Sequence, residues 1–394
     1  MNTLSLKVFD ETLRDGEQQA GLFFRYEEKK TLAHLIAATG VHRIDVMPVI
    51  DDSEEHLLKA LVADGLGALL APATMMGKAF IDHAKSCGVE RIILFHAVSD
   101  RLLFLRDSDI RRSVVFQDKT IDDDIPEAVI QTVRENMVHK VLQNLQYATS
   151  EAVGLKVDFA AEDASRANFE FLGHCIGEFR PFIENFMLCD TVGVLSPEKA
   201  FNWVSQLLEI TNHAPLAVHF HNDLGLALEN TIQAVLAGAS MISGTFTGIG
   251  ERAGNVALEQ VLNGLKVRFG LEVEGINYDA LERVASHLMS LGIRPALPYS
   301  KAAQTHETGI HVNSILQDRK SYSIFEYEEL EIWFGKYSGS SNFQYLFEKC
   351  LDLPLSKERY NHMRAVIKSL SLKHQRCFSP HEVIAFFEDG VFDV

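Results

Sequence analysis

Three short runs hold the residues best suited to chemistry. Val218-His219-Phe220-His221-Asn222-Asp223 carries two histidines two positions apart. Strand side chains alternate between faces, so His219 and His221 share one side while Val218 and Phe220 face an apolar layer. Asn222, Asp223 and Gly225 then suit the end of a strand and the start of a turn or helix. Two imidazoles at the carboxyl end of a buried strand can ligate one metal ion. As an isolated pair they serve equally well as hydrogen-bonded histidines. A second polar run, Asp10-Glu-Thr-Leu-Arg-Asp-Gly-Glu-Gln18, directly follows the apolar stretch Leu6 to Phe9. A third, Thr247 to Asn255, follows Met241 to Phe246. Strand ends in α/β folds are where sites are built. A solvated, charged turn is the plain alternative for either run alone.

The chain between these runs alternates strand-like and helix-like stretches. Apolar runs at Arg43 to Met47, Ala68 to Ala71, Arg91 to Phe95, Lys156 to Ala160, Phe186 to Leu188 and Leu216 to Phe220 predict strands. Tyr26 to Thr39, Ser53 to Ala63 (with Ser53 as cap), Met75 to Ser86, Pro126 to Thr149, Ser165 to Phe179, Pro197 to Ile210 and Leu226 to Ala237 predict helices. Arg101 to Asp124 predicts a long charged loop with a helical turn. About eight strand–helix units fit a (β/α)8 TIM barrel; a doubly wound sheet is the competitor. Polar residues recur after different strands: Asp15, Glu162, Thr191, His221 and Asn255. A ring of strand ends converges them on one point, whereas an open sheet spreads them along an edge, so the barrel is preferred. The expected organisation is a catalytic barrel over 1–275, a linker and subdomain over 276–340, and a short helical subdomain over 341–394. The last two form a mostly α-helical appendage.

Composition narrows the class. The 394 residues are 47% hydrophobic and 23% charged, as in ordinary globular proteins. A net charge of -17 argues against nucleic acid or an anionic membrane as the main partner. The five cysteines are scattered without a Cys-x-x-Cys pair, which predicts buried thiols in a reducing cytoplasm. No apolar run approaches the ~20 residues needed to span a bilayer, and Met1 to Asp10 is unlike a signal peptide.

Together the three runs resemble the DRE-TIM metallolyases, and within them the Claisen-condensing homocitrate, isopropylmalate and citramalate synthases. Ala161-Glu-Asp-Ala-Ser-Arg166, Asp190-Thr-Val-Gly193, His306-Glu-Thr-Gly-Ile-His311 and Gly335-Lys-Tyr-Ser-Gly339 add to the resemblance, which spans most of the chain in the family's order. It implies a cytoplasmic acyltransferase of amino-acid biosynthesis that condenses acetyl-CoA with a 2-oxo acid. It also implies a divalent metal (Mg, Mn or Zn) held by Asp15, His219, His221 and Asn255. Arg14 resembles the residue that steadies the developing alkoxide, Thr191 the one that binds the substrate carboxylate, and Gln18 and Glu162 those that shape the pocket, with Glu162 grouped among the catalytic residues. His311 resembles a histidine delivered into a neighbouring subunit's barrel for acid–base work, so a homodimer with exchanged appendages is expected. An imidazole's ordinary pKa of ~6.5 suits such a role.

Departures from the pattern bear on the substrate. The Gly248 to Asn255 loop lacks the cysteine of the superfamily's lyases, which favours synthesis over cleavage. The chain has no length for the large regulatory domain of typical isopropylmalate synthases, which favours homocitrate synthase-like or citramalate synthase-like enzymes; of these the homocitrate type, with a dicarboxylic 2-oxo acid, is expected. Asp158-Phe-Ala-Ala161 lacks the arginine and serine that hold a distal carboxylate in many homocitrate synthases, and Arg101 and Arg106 are offered as replacements. Met47-Pro48-Val49 and Tyr337 also depart, which leaves isopropylmalate- or citramalate-type activity, an unusual acidic substrate such as a phosphonate, or a lyase as alternatives. A retired barrel that only binds a metabolite is the non-catalytic rival. Tyr322 or Tyr327 is a candidate helper for His311.

Overall fold

A computed structural model describes residues 2–47, 50–113, 125–325 and 330–393, with backbone alone for 111–113. Pro48, Val49 and Tyr327 lie outside the described residues. Eight parallel strands form one curled sheet: β1 (Lys7–Asp10), β2 (Arg43–Ile44), β3 (Ala73–Thr74), β4 (Arg91–Ala97), β5 (Lys156–Glu162), β6 (Phe186–Asp190), β7 (Leu216–Phe220) and β8 (Met241–Gly244). Their order is β2-β1-β8-β7-β6-β5-β4-β3. The two ends meet through a parallel bridge between Ile44 and Leu70, with Ala71 N donating to Ile44 O at 3.0 Å. This closes the (β/α)8 barrel expected from the alternation.

Each strand is followed by a helix on the outer ring: α1 (Tyr26–Ala37), α2 (Asp52–Leu61), α3 (Lys78–Ser86), α4 (Glu127–Thr149), α5 (Phe169–Phe179), α6 (Pro197–Ile210), α7 (Ala227–Leu236) and α8 (Leu258–Phe269). Local chemistry sets their ends. Asp51 accepts from Ser53 N and Glu54 N, Asn168 caps α5, and Ser196 caps α6 ahead of Pro197. Period-two alternation sorts the strands between two cores. On β7, Val218 and Phe220 join the helix-facing core while Ala217 faces the barrel interior. On β4, Ile92 and Leu94 face the helices and Ile93 faces inward.

Three local expectations are corrected. The third strand is Ala73–Thr74 rather than 68–71, because the left-handed Gly65 and a 3-10 turn at Gly67–Leu69 use up that apolar run. The α2 cap is Asp51 rather than Ser53. The first part of the loop expected after β4 is the helices Asp100–Arg106 and Ser108–Ser113, and its remainder, 114–124, lies outside the described residues.

Beyond the barrel, α9 (Tyr278–Ser290) adds Leu281, Val284 and Leu288 to the barrel's outer core. Then come α10 (Gly309–Ile315), α11 (Ser340–Gln344), α12 (Lys357–His374) and α13 (Pro380–Glu388). These enclose a second core around Phe334, Phe343, Phe347, Met363 and Phe378. A buried ionic cluster ties this appendage to its own barrel. Lys29 Nζ lies 2.6 Å from both Glu17 and Glu54, and Lys336 Nζ lies 2.9 and 2.7 Å from the same two carboxylates. Tyr337 donates to Glu17 at 2.8 Å. Burial pushes the Glu17 carboxyl up, but Lys29 and Lys336 outweigh it and hold it at about 2. Glu17 belongs to the turn Gly16–Gln18, so the cluster fixes the segment that carries Asp15 and Gln18.

Removing one ammonium leaves a buried carboxylate half-paired, so Lys336→Met is expected to cost about 3–5 kcal/mol in urea denaturation. Beside the cluster, burial pushes Glu307 from 4.5 up to about 7. The folded state therefore keeps a proton that the unfolded chain releases, and stability falls as pH rises from 4.5 through 7. Glu307→Gln should flatten that slope, worth about 3 kcal/mol, in denaturation midpoints taken across this range.

Candidate active site

Two clusters of polar residues face each other at the carboxyl end of the barrel. The first joins β1, β7 and β8. One ligand atom each from Asp15, His219 and His221 lie within 4.8 Å of one another, and all three residues are buried. The Nε2 atoms of His219 and His221 face each other at 3.2 Å. Ser243 Oγ donates to Glu11, so it can accept only from His219 Nδ1–H, 3.1 Å away. That fixes the His219 tautomer and aims the Nε2 lone pair at the cluster. Burial drives His219 down to about 4 and His221 well below its ordinary value, so both rings are neutral near neutrality, as ligands must be. Burial alone would raise Asp15, but Arg14, His221 and His219 together hold it below the usual carboxylate range.

These residues fit a divalent cation. A carboxylate and two imidazole nitrogens converge, and the buried Asn255 Oδ1 beside them has no hydrogen-bond partner. Asn255 Nδ2 donates to Asp15 at 2.6 Å; turned about Cγ, the amide offers Oδ1 to the same space. Gly250 (φ 145) makes this approach possible, because a Cβ there would overlap Asn255 and Asp15. Arg14 donates to Asp45 at 2.7 Å and Asp15 at 2.9 Å and also pairs with Glu11.

The second cluster joins β5, the Asp100–Arg106 helix and the appendage. Arg106 grips Glu162 with two bonds of 2.6 and 2.7 Å and reaches Tyr322 Oη at 2.5 Å. Tyr322 is fully buried, donates to Glu162, and stacks on His311 with ring centroids 4.0 Å apart. Burial would raise Glu162, but Arg106 brings it to about 2, so it stays ionised and anchors Arg106 and Tyr322 rather than trading protons. His311 Nδ1 meets the Glu251 carboxylate, and His306 Nδ1 lies 3.5 Å from its other oxygen. Neither contact has the alignment of a hydrogen bond. Burial opposes ionisation of Glu251, but His311 and His306 hold it at about 2.

A cavity of about 130 Å3 separates the clusters; Arg14, Asp15, Gln18, Arg106, Glu162, Thr191, His219, His221 and His311 line it. Thr191 Oγ1 already accepts from Asp163 N at 2.8 Å, which leaves its proton for a ligand. A larger cleft of about 960 Å3 lies between α2 and α12, but it contains neither cluster. The convergent, buried polar groups mark the smaller cavity as the site.

Two expectations are corrected. Arg101 does not line this cavity; it pairs with Asp318. His311 was expected to lie far from its own barrel mouth, yet in this chain it reaches its own cavity, so the reason for exchanging appendages falls away. Sequence reasoning missed Glu11, Ser243, Glu251 and His306. Glu11, Glu251 and His306 sit inside the motif runs, and their burial was the signal that contiguity alone did not give.

With this geometry in view, comparison with known proteins is decisive. Residues 5–288 match the HMGL-like family. The chain belongs to that family. As an HMGL-like protein it is 33% identical over 329 residues to the homocitrate synthase AksA of Methanosarcina mazei, covering 82% of this chain and 74% of that one. It is 31% identical over 361 residues to the 2-isopropylmalate synthase of Sulfolobus acidocaldarius, covering 89% and 86%. The HMG-CoA lyase structure from Brucella melitensis shares the fold, with a TM-score of 0.56 at 18% identity over 74% of this chain and 99% of that one. The motif resemblance is thus borne out, and the enzyme is of the synthase kind. No helix of the described residues is long and apolar enough to cross a membrane.

Because Glu11 orients His219 through Ser243, Glu11→Gln should weaken binding of Mn or Zn about 10–100-fold in calorimetric titration, without loss of fold by circular dichroism.

Proposed function

We propose that this protein condenses acetyl-CoA with a 2-oxo acid and hydrolyses the thioester, releasing CoA. The observation that carries the reading is the pairing across one cavity: Asp15, His219 and His221 on one side, His311 with Glu251 on the other. A divalent ion held by Asp15, His219 and His221, with Asn255 beside them, would supply Lewis-acid polarisation of the 2-oxo group.

The chain's own residues account for the rest. The free nitrogen of His311 takes a proton from the acetyl methyl group, and Glu251 stabilises the imidazolium as the orienting carboxylate does in a catalytic dyad. The enolate carbon attacks C2 of the oxo acid; a C–C bond forms and the oxo oxygen becomes an alkoxide. Arg14, always charged, lies where that oxygen gains its charge. The Thr191 hydroxyl donates to the substrate carboxylate, and Gln18 closes the wall beside it. Water then breaks the C–S bond and the thiol leaves. His311 comes from the same chain, so the reading needs no exchange of appendages. A homodimer remains an expectation. Four of the five cysteines are buried as expected and Cys350 is exposed, a set that suits the cytoplasm as its location.

The test is thiol release from acetyl-CoA, with and without Mg, Mn or Zn, across a panel of 2-oxo acids. Release is expected to depend on the metal and to fall at least ~100-fold in His219→Ala and in His311→Ala. Release that survives both substitutions contradicts the proposal. Cleavage of a hydroxyacyl thioester without condensation favours the lyase.

A further inference from the structure

Resting on the condensation just described, we propose that the 2-oxo acid carries a short apolar side chain whose size is set by Ala73 and Ala160.

The cavity has a continuous apolar part. Its polar groups are Glu11, Arg14, Asp15 and Gln18 after β1, Thr191 after β6, His219 and His221 at β7, and Arg106 and Glu162 with the appendage, while the arc from β2 to β6 also presents Met47, Ala73, Ile93, Phe95, Ala160 and Met187. These six belong to, or pack against, the apolar core inside the barrel. A 2-oxo acid with its oxo and carboxylate groups turned to the ligand side points its remaining substituent at this arc.

A second carboxylate there would need a cation. Among the described residues lining the cavity the cations, histidines aside, are Arg14 and Arg106. Three carboxylates already share Arg14. Arg106 gives three of its five N–H groups to the two oxygens of Glu162 and to Tyr322, which leaves the buried Nε–H and one Nη1–H. Its charge is already matched by the ionised Glu162, so those two N–H groups do not replace the hydration of a second carboxylate. An alkyl group loses nothing there and gains by leaving water.

The whole cavity measures about 130 Å3, of the order of the roughly 150 Å3 void that takes up a six-carbon ring, so single carbons on its wall matter. Ala73 and Ala160 are the smallest side chains of the arc, and each added carbon on them subtracts from the space opposite the ligand cluster.

The experiment measures kcat/KM for pyruvate, 2-oxobutyrate, 2-oxoisovalerate, 2-oxoglutarate and oxaloacetate in wild type, Ala73→Leu and Ala160→Leu. In parallel, calorimetry follows binding of the same acids to the Mn-supplemented protein. The alkyl acids should exceed the dicarboxylic acids about 100-fold or more, and either substitution should cut 2-oxoisovalerate relative to pyruvate about 10–200-fold. A preference for a dicarboxylic acid, or substitutions that leave the ratio unmoved, would overturn the inference while leaving condensation intact. No thiol release with any acid would remove the condensation reading; binding then decides, and tighter binding of a dicarboxylic than of an alkyl acid overturns this inference too.

Discussion

The structure depends on keeping one carboxylate charged in a buried place. Asp15 is 5% exposed, and a lone ionised carboxylate there would cost several kcal/mol. The cost is offset by Arg14 and by the Asn255 amide. Burial keeps the two imidazoles neutral, and their nitrogens converge on the same space, so a cation fits between them and the carboxylate. Glu11 and Ser243 hold the ring of His219 still, and Asp45 does the same for Arg14.

The barrel makes this arrangement possible because its strands alternate strictly. Val218 and Phe220 are drawn to the helices, which forces His219 inward, while Ala217 fills the layer below. The appendage then completes the cavity from the other side. Its ionic cluster grips Glu17, two residues from Asp15, and Arg166 bonds the backbone oxygen of Ser321, next to Tyr322. Both faces of the site are therefore positioned by the same docking.

The barrel and the metal-binding face were legible because each run of polar residues lies directly after its strand. The far face was not, since bringing His311 to Glu251 depends on packing between segments sixty residues apart. Arg101 and Arg106 show the limit well. The sequence offered both, but they sit five positions apart on one helix, roughly 140° around its axis. They cannot face one cavity, and only Arg106 does. The third strand was misplaced because an apolar run read as extended is wound into a turn after Gly65. Glu251 stayed hidden because a carboxylate in a glycine-rich loop reads as solvated until its burial is known.

The central claim is that Asp15, His219 and His221 form a metal centre facing His311 across one cavity of one chain. Anomalous diffraction from crystals soaked in Mn2+ tests it most directly. The account predicts an anomalous peak within bonding distance of Asp15, His219 and His221, with the same chain's His311 across the cavity from it. A peak elsewhere, or none at a manganese concentration that supports thiol release, would contradict it.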